Sequence, residues 1–212
     1  MRAYVKWSVV FFALIAIIPL VIGLIGAFEA WLGFVFLLFG VPVVLLTLLI
    51  GGVVFLVHGI RVASELPQMR ERVSVVLLSP ALVAATIVLA LPLLWVGQHV
   101  GNLARLAINR DHYEAIIAEA RLVQKAAWFE DHDGVTYSVD LGPPVRVAFN
   151  PAGMLDNWSG IIFDTTGDVM LADGFDPKTG KFIVPERVTM LFGGDLVGCR
   201  HLWDDYYSCS FT

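Results

Sequence analysis

The stretch that divides this chain reads Arg61-Val-Ala-Ser-Glu-Leu-Pro-Gln-Met-Arg-Glu-Arg72. Before it, only Arg2, Lys6 and Glu29 carry a charge, and after it the run from Val73 to Gly97 carries none. Apolar runs of about 18 residues or more are typical of membrane-spanning helices. We therefore interpret residues 61–72 as a polar loop between membrane spans.

Three apolar segments are predicted to cross the membrane, at about residues 7–27, 31–60 and 73–96. The first also resembles a signal peptide because Arg2 and Lys6 precede it, but its apolar run of about 20 residues exceeds the usual 7–15. As a straight helix, the second would measure ~45 Å against a hydrocarbon core of ~30 Å. We expect it to tilt, or to kink at Gly40-Val-Pro42 or Gly51-Gly52.

The basic residues near the span ends predict the orientation of the protein. Those on one side of the membrane are Arg2, Lys6, Arg61, Arg70 and Arg72. The hairpin between the first two spans has none, and Arg105 and Arg110 follow the third span. The positive-inside rule then places the N-terminus and the loop 61–72 in the cytoplasm. Residues 98–212 are predicted to lie outside an inner membrane, which in a bacterium means the periplasm.

The composition changes after residue 97. Residues 1–97 hold eight Asp, Glu, Lys or Arg, whereas residues 98–212 hold twenty-five, sixteen of them acidic. An acidic surface keeps a domain soluble, and it argues against nucleic acid as a partner. We predict a membrane domain over 1–97 in contact with the lipid bilayer, a helical connector over 98–130, and an antiparallel β-rich domain over 131–212.

The connector contains a pattern typical of a helix start. Asp111-His-Tyr-Glu114 resembles a capping box, so a fresh helix is expected from about 111 to 129. Its apolar positions follow helical spacing and form one face: Tyr113, Ile116, Ile117, Ala120, Val123 and Ala127.

The remainder reads as short strands separated by polar turns. Strands are expected at Val135–Asp140 and Val145–Phe149, followed by a loop over Asn150–Ser159. A hairpin of residues 161–163 with 169–171 and a short helix over 185–192 come next. The last predicted element is a hairpin of Leu196–Leu202 with Tyr206–Phe211. One amphipathic helix against five or six antiparallel strands is an α+β domain. The predicted fold class is thus three transmembrane helices followed by an extracytoplasmic α+β domain with a small antiparallel sheet.

The two cysteines lie in the last hairpin. A three-residue turn at Trp203-Asp204-Asp205 would place Cys199 directly opposite Cys209, where strand residues are ~5 Å apart and a disulfide can form. An oxidising compartment favours this pairing. A metal site of Cys199, His201 and Cys209 is the alternative, but it lacks a fourth ligand, and no metal site is predicted.

Other polar residues suggest chemistry only weakly. Asp164, Asp168, Asp173 and Asp176 gather in two turns, where turn formation explains them and calcium binding stays open. No P-loop, nucleophile elbow or dinucleotide fingerprint occurs, so neither a catalytic residue nor a cofactor is predicted. A hydrolase would require two or more of these side chains to converge in a pocket: His112, His132, Asp164, Asp168 and His201.

Small residues mark one face of the third span. Gly97 and Gly101 allow a helix to approach closely, either from the same chain or from a second copy in a homo-oligomer. The spans carry no charge in their interior, so there is no sign of an ion path. That absence weakens the alternative that the protein is an accessory subunit of a transporter.

Aromatic residues crowd the last hairpin, and Trp and Tyr often dominate the binding energy of protein interfaces. We therefore predict a non-enzymatic membrane protein whose exported domain binds a protein partner, as an inhibitor or immunity protein, a sensor or an accessory subunit. The predicted contact residues are Trp203, Asp204, Asp205 and Tyr206, with Trp158 as a weaker candidate. The alternative is that these rings belong to the domain core.

Overall fold

Long apolar helices make up the N-terminal part of the computed structural model, which describes residues 1–154 and 157–212. The helices are α1 (Arg2–Phe28), α2 (Ala30–Val35), α3 (Val41–Ser64) and α4 (Met69–Val123). Three helical stretches, Arg2–Phe28, Ala30–Ser64 and Met69–Val123, are long and apolar enough to cross a membrane. The chain divides into two compact units, Met1–Gly101 and Asn102–Thr212.

The second stretch is interrupted where the sequence predicts a kink. A π-helical turn, Phe36–Gly40, joins α2 to α3, and Pro42 lies in the first turn of α3. Proline lacks a backbone N–H and its ring crowds the preceding turn, and a π turn is one way to accommodate both effects. The π turn adjoins the first of the two predicted positions, Gly40-Val-Pro42, whereas Gly51-Gly52 lies inside the continuous helix α3.

Within the first unit, glycines allow the helices to approach closely. A side chain at Gly97 would overlap the carbonyl of Leu20, and one at Gly101 would lie 2.5 Å from the Cβ of Ala27. Both glycines therefore pack against α1 of the same chain. Of the two predicted alternatives, packing within the chain and homo-oligomerisation, this is the first. The hydroxyl of Tyr4 donates to the carbonyl of Phe55 at 3.1 Å and adds a polar contact between helices.

The polar loop is shorter than predicted, and α4 is longer. Helix α3 ends at Ser64 and α4 begins at Met69, so much of 61–72 is helical. No break occurs at Asp111, contrary to the capping-box expectation. Instead, Arg110 and Glu114 form an ion pair of 2.8 Å across one helical turn, which supports a continuous helix. The helix ends at Val123, and residues 127–129 belong to a strand rather than to the predicted helix.

Six antiparallel strands form the sheet of the second unit, which confirms the predicted fold class. They are β1 (Ala127–His132), β2 (Val135–Asp140), β3 (Arg146–Met154), β4 (Asn157–Phe163), β5 (Leu196–Trp203) and β6 (Tyr206–Phe211). Their order across the sheet is β1-β2-β3-β4-β6-β5.

Three local predictions differ from the structure. The hairpin of 161–163 with 169–171 is wrong, because β4 pairs with β3 and β6, and residues Asp168–Leu171 form a 3₁₀ turn. The loop predicted over 150–159 is largely strand, and its Leu155 and Asp156 lie outside the described residues. The helix over 185–192 is replaced by two 3₁₀ turns, Glu186–Val188 and Leu191–Gly193.

The sheet is covered on both faces. On one face, residues of α4 pack against the strands, and the buried ones are Leu106, Tyr113, Ile116, Ile117 and Ala120. This confirms most of the predicted helix face, although Val123 is exposed. The other face is covered by residues 168–194, which we call the covering segment. Its buried residues are Val169, Val188, Leu191 and Phe192.

Candidate functional site

The C-terminal hairpin is joined by a disulfide, as the sequence predicts. Cys199 of β5 pairs directly with Cys209 of β6, and their Cα atoms are 4.1 Å apart. Structural disulfides persist in oxidising compartments, so this bond suggests that the domain lies outside the cytoplasm. No free cysteine occurs among the described residues.

The hairpin turn is one residue shorter than predicted. The turn consists of Asp204 and Asp205, and Trp203 pairs with Tyr206. A β-bulge between His201 and Trp203 then leaves an extra residue in β5. That bulge restores the register, so the cysteines face each other even though the predicted three-residue turn is wrong.

The predicted contact residues separate into exposed and buried groups. Trp203 is 58% exposed at the end of the hairpin. Tyr206 is buried, and its ring lies 5.4 Å from that of Phe163 between centroids. Burial raises the pKa of Tyr206 to about 12. Trp203 is therefore accessible to another molecule, whereas Tyr206 belongs to the core.

The turn next to Trp203 is held by contacts on both sides. Nε2 of His201 donates to the backbone carbonyl of Asp204 at 2.8 Å. The guanidinium of Arg110 lies 3.6 Å from the Asp204 carboxylate. The backbone N–H of Asp164 donates to the carbonyl of Asp205 at 2.9 Å. We call Trp203, Asp204 and Asp205 the hairpin tip.

Trp158 lies away from the hairpin tip. It pairs with Phe211, which is at the opposite end of β6 from the turn, and the two rings stack with centroids 3.9 Å apart. Phe192 of the covering segment contacts the same pair of rings edge-on. Trp158 is half-buried and supports the covering segment, so the structure does not bring it together with Trp203.

A buried ionic cluster lies where β3 and β4 meet the covering segment. Arg146 is 2% exposed and Asp164 is fully buried, with Nε of Arg146 3.2 Å from Oδ1 of Asp164. The two groups are close enough for charge attraction, but the Nε–H is not aligned for a hydrogen bond. The Asp164 carboxylate also accepts from the backbone N–H groups of Thr166 and Val169, both at 3.2 Å.

Asp168 extends this cluster to the surface. Its carboxylate accepts two hydrogen bonds from Arg187, at 2.8 and 3.2 Å, and lies 3.9 Å from Arg146. The hydrogen bond from Arg187 lowers the pKa of Asp168. Sequence reasoning missed Arg146, although a charge between Val145 and Val147 in an apolar strand is itself a signal of a buried partner.

The remaining candidates are dispersed. Asp176 accepts from the N–H of Lys178 and the hydroxyl of Thr179 in its own turn, at 2.8 Å each. His112 lies in α4 and His132 in β1. In the part of the chain that the structure describes, no group of three or more His, Cys, Asp or Glu residues is placed to hold a metal ion. No family model, curated protein or solved structure matches this chain.

Proposed function

We propose that this chain is a non-enzymatic integral membrane protein whose C-terminal domain lies outside the cytoplasm and binds a protein partner through the hairpin tip. An inhibitor or immunity protein, a sensor and an accessory subunit all act in this way. The single observation that carries the proposal is the exposure of Trp203, 58%, on a turn fixed by its neighbours.

The location is supported by two independent features. Three stretches could cross a membrane, and an odd number of spans places the two ends of the chain on opposite sides. The positive-inside rule favours a cytoplasmic N-terminus, next to Arg2 and Lys6. The disulfide of Cys199 with Cys209 favours an oxidising compartment for the other end.

Binding is supported by the energetics of an exposed tryptophan beside a fixed turn. A large ring on a fixed turn loses little conformational freedom when a partner covers it, so more of its burial energy appears as affinity. The disulfide lies four residues before Trp203 in the same strand, and His201 holds the turn from within the hairpin. Trp203 therefore has the properties of an interface anchor.

The charges beside the ring define the partner. Asp204 and Asp205 directly follow Trp203, and the Asp204 side chain is largely exposed although Arg110 lies nearby. Electrostatic complementarity favours a partner with basic groups around an apolar pocket that accepts an indole. We propose that the partner surface carries Lys or Arg at the rim of such a pocket.

The binding experiment places a photoreactive amino acid at position 203 of the full chain in intact cells. We expect one dominant crosslinked protein, and we expect Trp203→Ala to weaken its binding at least tenfold while the domain stays folded. Trp203→Phe, which keeps an aromatic ring, should retain most of the affinity. A matched probe at the half-buried Trp158 should capture far less. If no partner is captured, or if Trp203→Ala unfolds the domain, the proposal is wrong.

The orientation has its own experiment. Alkaline phosphatase fused after residue 130 should be active, because that enzyme folds only outside the cytoplasm. A fusion within 65–68, the segment between α3 and α4, should be inactive. The reverse pattern would place the domain in the cytoplasm and would contradict the proposed location.

A further inference from the structure

The two end strands of the sheet differ in whether another segment makes backbone hydrogen bonds to their free edges. At one end, β5 is partly covered by the covering segment, since Asp173 forms a bridge with Gly198 and the N–H of Gly174 donates to the carbonyl of Val197 at 2.8 Å. At the other end, β1 pairs only with β2. Over residues 1–154 and 157–212, no backbone hydrogen bond joins β1 to a further segment.

An uncovered end strand presents unpaired N–H and C=O groups, because alternate residues of an antiparallel strand point away from its neighbour. Such an edge can accept an additional strand from another chain. Proteins usually cover or blunt these edges. Among the described residues, the covering segment makes backbone hydrogen bonds to the β5 edge and none to the β1 edge, so the backbone of β1 is the accessible one.

Two aromatic side chains of β1 are partly exposed, and the ring of Trp128 lies against Gly193 of the covering segment. Trp128 is 56% exposed and Phe129 is 49% exposed, and their ring centroids are 5.1 Å apart. A bulge places both of them opposite Ser138, whose hydroxyl accepts the N–H of Phe129 at 3.1 Å. Phe129 has a φ of 50°, a backbone conformation that is rare for a bulky residue and that its hydrogen bond to Ser138 helps to hold.

The charges along this edge define what can pair with it. Glu130 and Asp131 lie in β1 and Asp133 lies in the turn that follows, whereas Lys125, 3.5 Å from Glu130, is the nearby cation. Two copies of β1 side by side would bring these carboxylates together, and like charges on facing strands are destabilising. The edge is therefore unsuited to a second copy of this chain, and it is suited to a cationic strand.

We propose that β1 is a docking strand for an extended, cationic segment of a protein partner. The segment adds to the sheet as a seventh strand, its backbone pairs with the free edge of β1, its basic side chains face Glu130 and Asp131, and its apolar side chains cover Trp128 and Phe129. This surface is separate from the hairpin tip, and the inference does not depend on the proposal for Trp203.

The probe is a labelled eight-residue peptide, Val-Val-Lys-Lys repeated twice, and the full chain is held in nanodiscs of neutral phosphatidylcholine. Consecutive strand residues face opposite sides of a sheet, so paired lysines can reach both Glu130 and Asp131, and paired valines can cover both Trp128 and Phe129. Fluorescence anisotropy should show saturable binding, and hydrogen exchange should slow in residues 127–132 but not in residues 203–206. A peptide of Val-Val-Glu-Glu repeated twice, equal in length, should not bind. Trp128→Ala should weaken binding of the lysine peptide at least tenfold.

Charge variants distinguish binding at the β1 edge from nonspecific electrostatic attraction of the peptide to the domain. Asp131→Asn keeps an oxygen that can accept the Gly134 N–H and removes only the charge, so it should weaken binding about two- to fivefold. Glu186→Gln, an equal charge change on the exposed covering segment, should leave binding unchanged. If neither peptide binds, if both bind equally, or if the protected amides lie outside β1, the proposal is wrong and β1 is simply a blunted edge.

Discussion

The two faces of the sheet are closed by different kinds of interaction. The face under α4 is closed by apolar side chains at helical spacing, among them Tyr113, Ile116 and Ile117. The face under the covering segment combines apolar residues with the buried pair of Arg146 and Asp164. A regular helix presents a continuous stripe to the sheet, whereas a segment of short 3₁₀ turns has no such stripe and is fixed by specific polar contacts.

This difference changes how each face responds to mutation. A side chain lost from the helix face leaves a cavity, and the cost depends on how far the neighbours relax. A partner lost from the buried ion pair leaves an isolated charge in a buried site, which costs more than the pair itself contributes. The covering segment therefore depends more strongly on a single residue than α4 does.

The largest effect is expected at Arg146. Arg146→Met keeps much of the side-chain volume and leaves the Asp164 carboxylate buried without its cation, so the free energy of unfolding should fall by about 3–5 kcal/mol. Urea denaturation of the C-terminal domain in the full chain, held in detergent and followed by near-ultraviolet circular dichroism, measures this change.

A double variant is the control for that experiment. Arg146→Met combined with Asp164→Leu removes both charges and should recover a large part of the loss, because no uncompensated charge remains. If Arg146→Met alone costs less than about 1 kcal/mol, water or a shift of the segment satisfies Asp164, and the contrast between the two faces is wrong.

On the helix face, Ile116→Ala should cost about 2–5 kcal/mol, because Ile116 is almost fully buried against the sheet. The same denaturation experiment measures it. Val123→Ala is a matched control on the same helix, since Val123 is exposed and its truncation should change stability by no more than about 0.5 kcal/mol. Equal costs for the two variants would contradict the assignment of this helix face.

The disulfide is expected to contribute about 2.8 kcal/mol, from the chain entropy of the eleven-residue loop that it closes. Because Cys209 is fully buried, the cysteines are best replaced together by alanine, which avoids placing a serine hydroxyl in an apolar site. The melting temperature of the double variant should match that of the wild type in reducing agent. A wild-type protein that is insensitive to reduction would contradict this contribution.

The parts of the fold that follow from local periodicity could be predicted from the sequence. The spacing of Tyr113, Ile116 and Ala120 identified the helix face, and strand pairing across a short turn identified Cys199 opposite Cys209. The register prediction survived an error in turn length because a bulge compensated for it.

The parts that depend on distant contacts could not be predicted. Nothing near Ile161 indicates that β4 pairs with β6 rather than with the next apolar run, since that choice depends on which pairing buries more surface. Arg146 could have been recognised as buried, but its partner Asp164 is separated from it by a whole hairpin. Trp203 and Tyr206 are both predicted to be contact residues, and only tertiary packing makes Trp203 exposed and Tyr206 buried.

The smallest expected effect is the pH dependence of stability that the ion pair of Asp168 and Arg187 contributes to the face under the covering segment. The hydrogen bond from Arg187 lowers the pKa of Asp168 in the folded protein below its value in the unfolded chain. A depressed carboxyl pKa contributes stability that is present above the unfolded pKa, about 4, and is lost as the pH falls through the folded pKa.

Asp168→Asn should therefore lower the melting temperature slightly at pH 7 and reduce its decline between pH 5 and pH 3, and Arg187→Gln should do the same. Since the pair is solvent-exposed, both changes should be smaller than those at Arg146, Ile116 or the disulfide. An unchanged acid decline in both variants would assign that decline to other carboxylates of the protein.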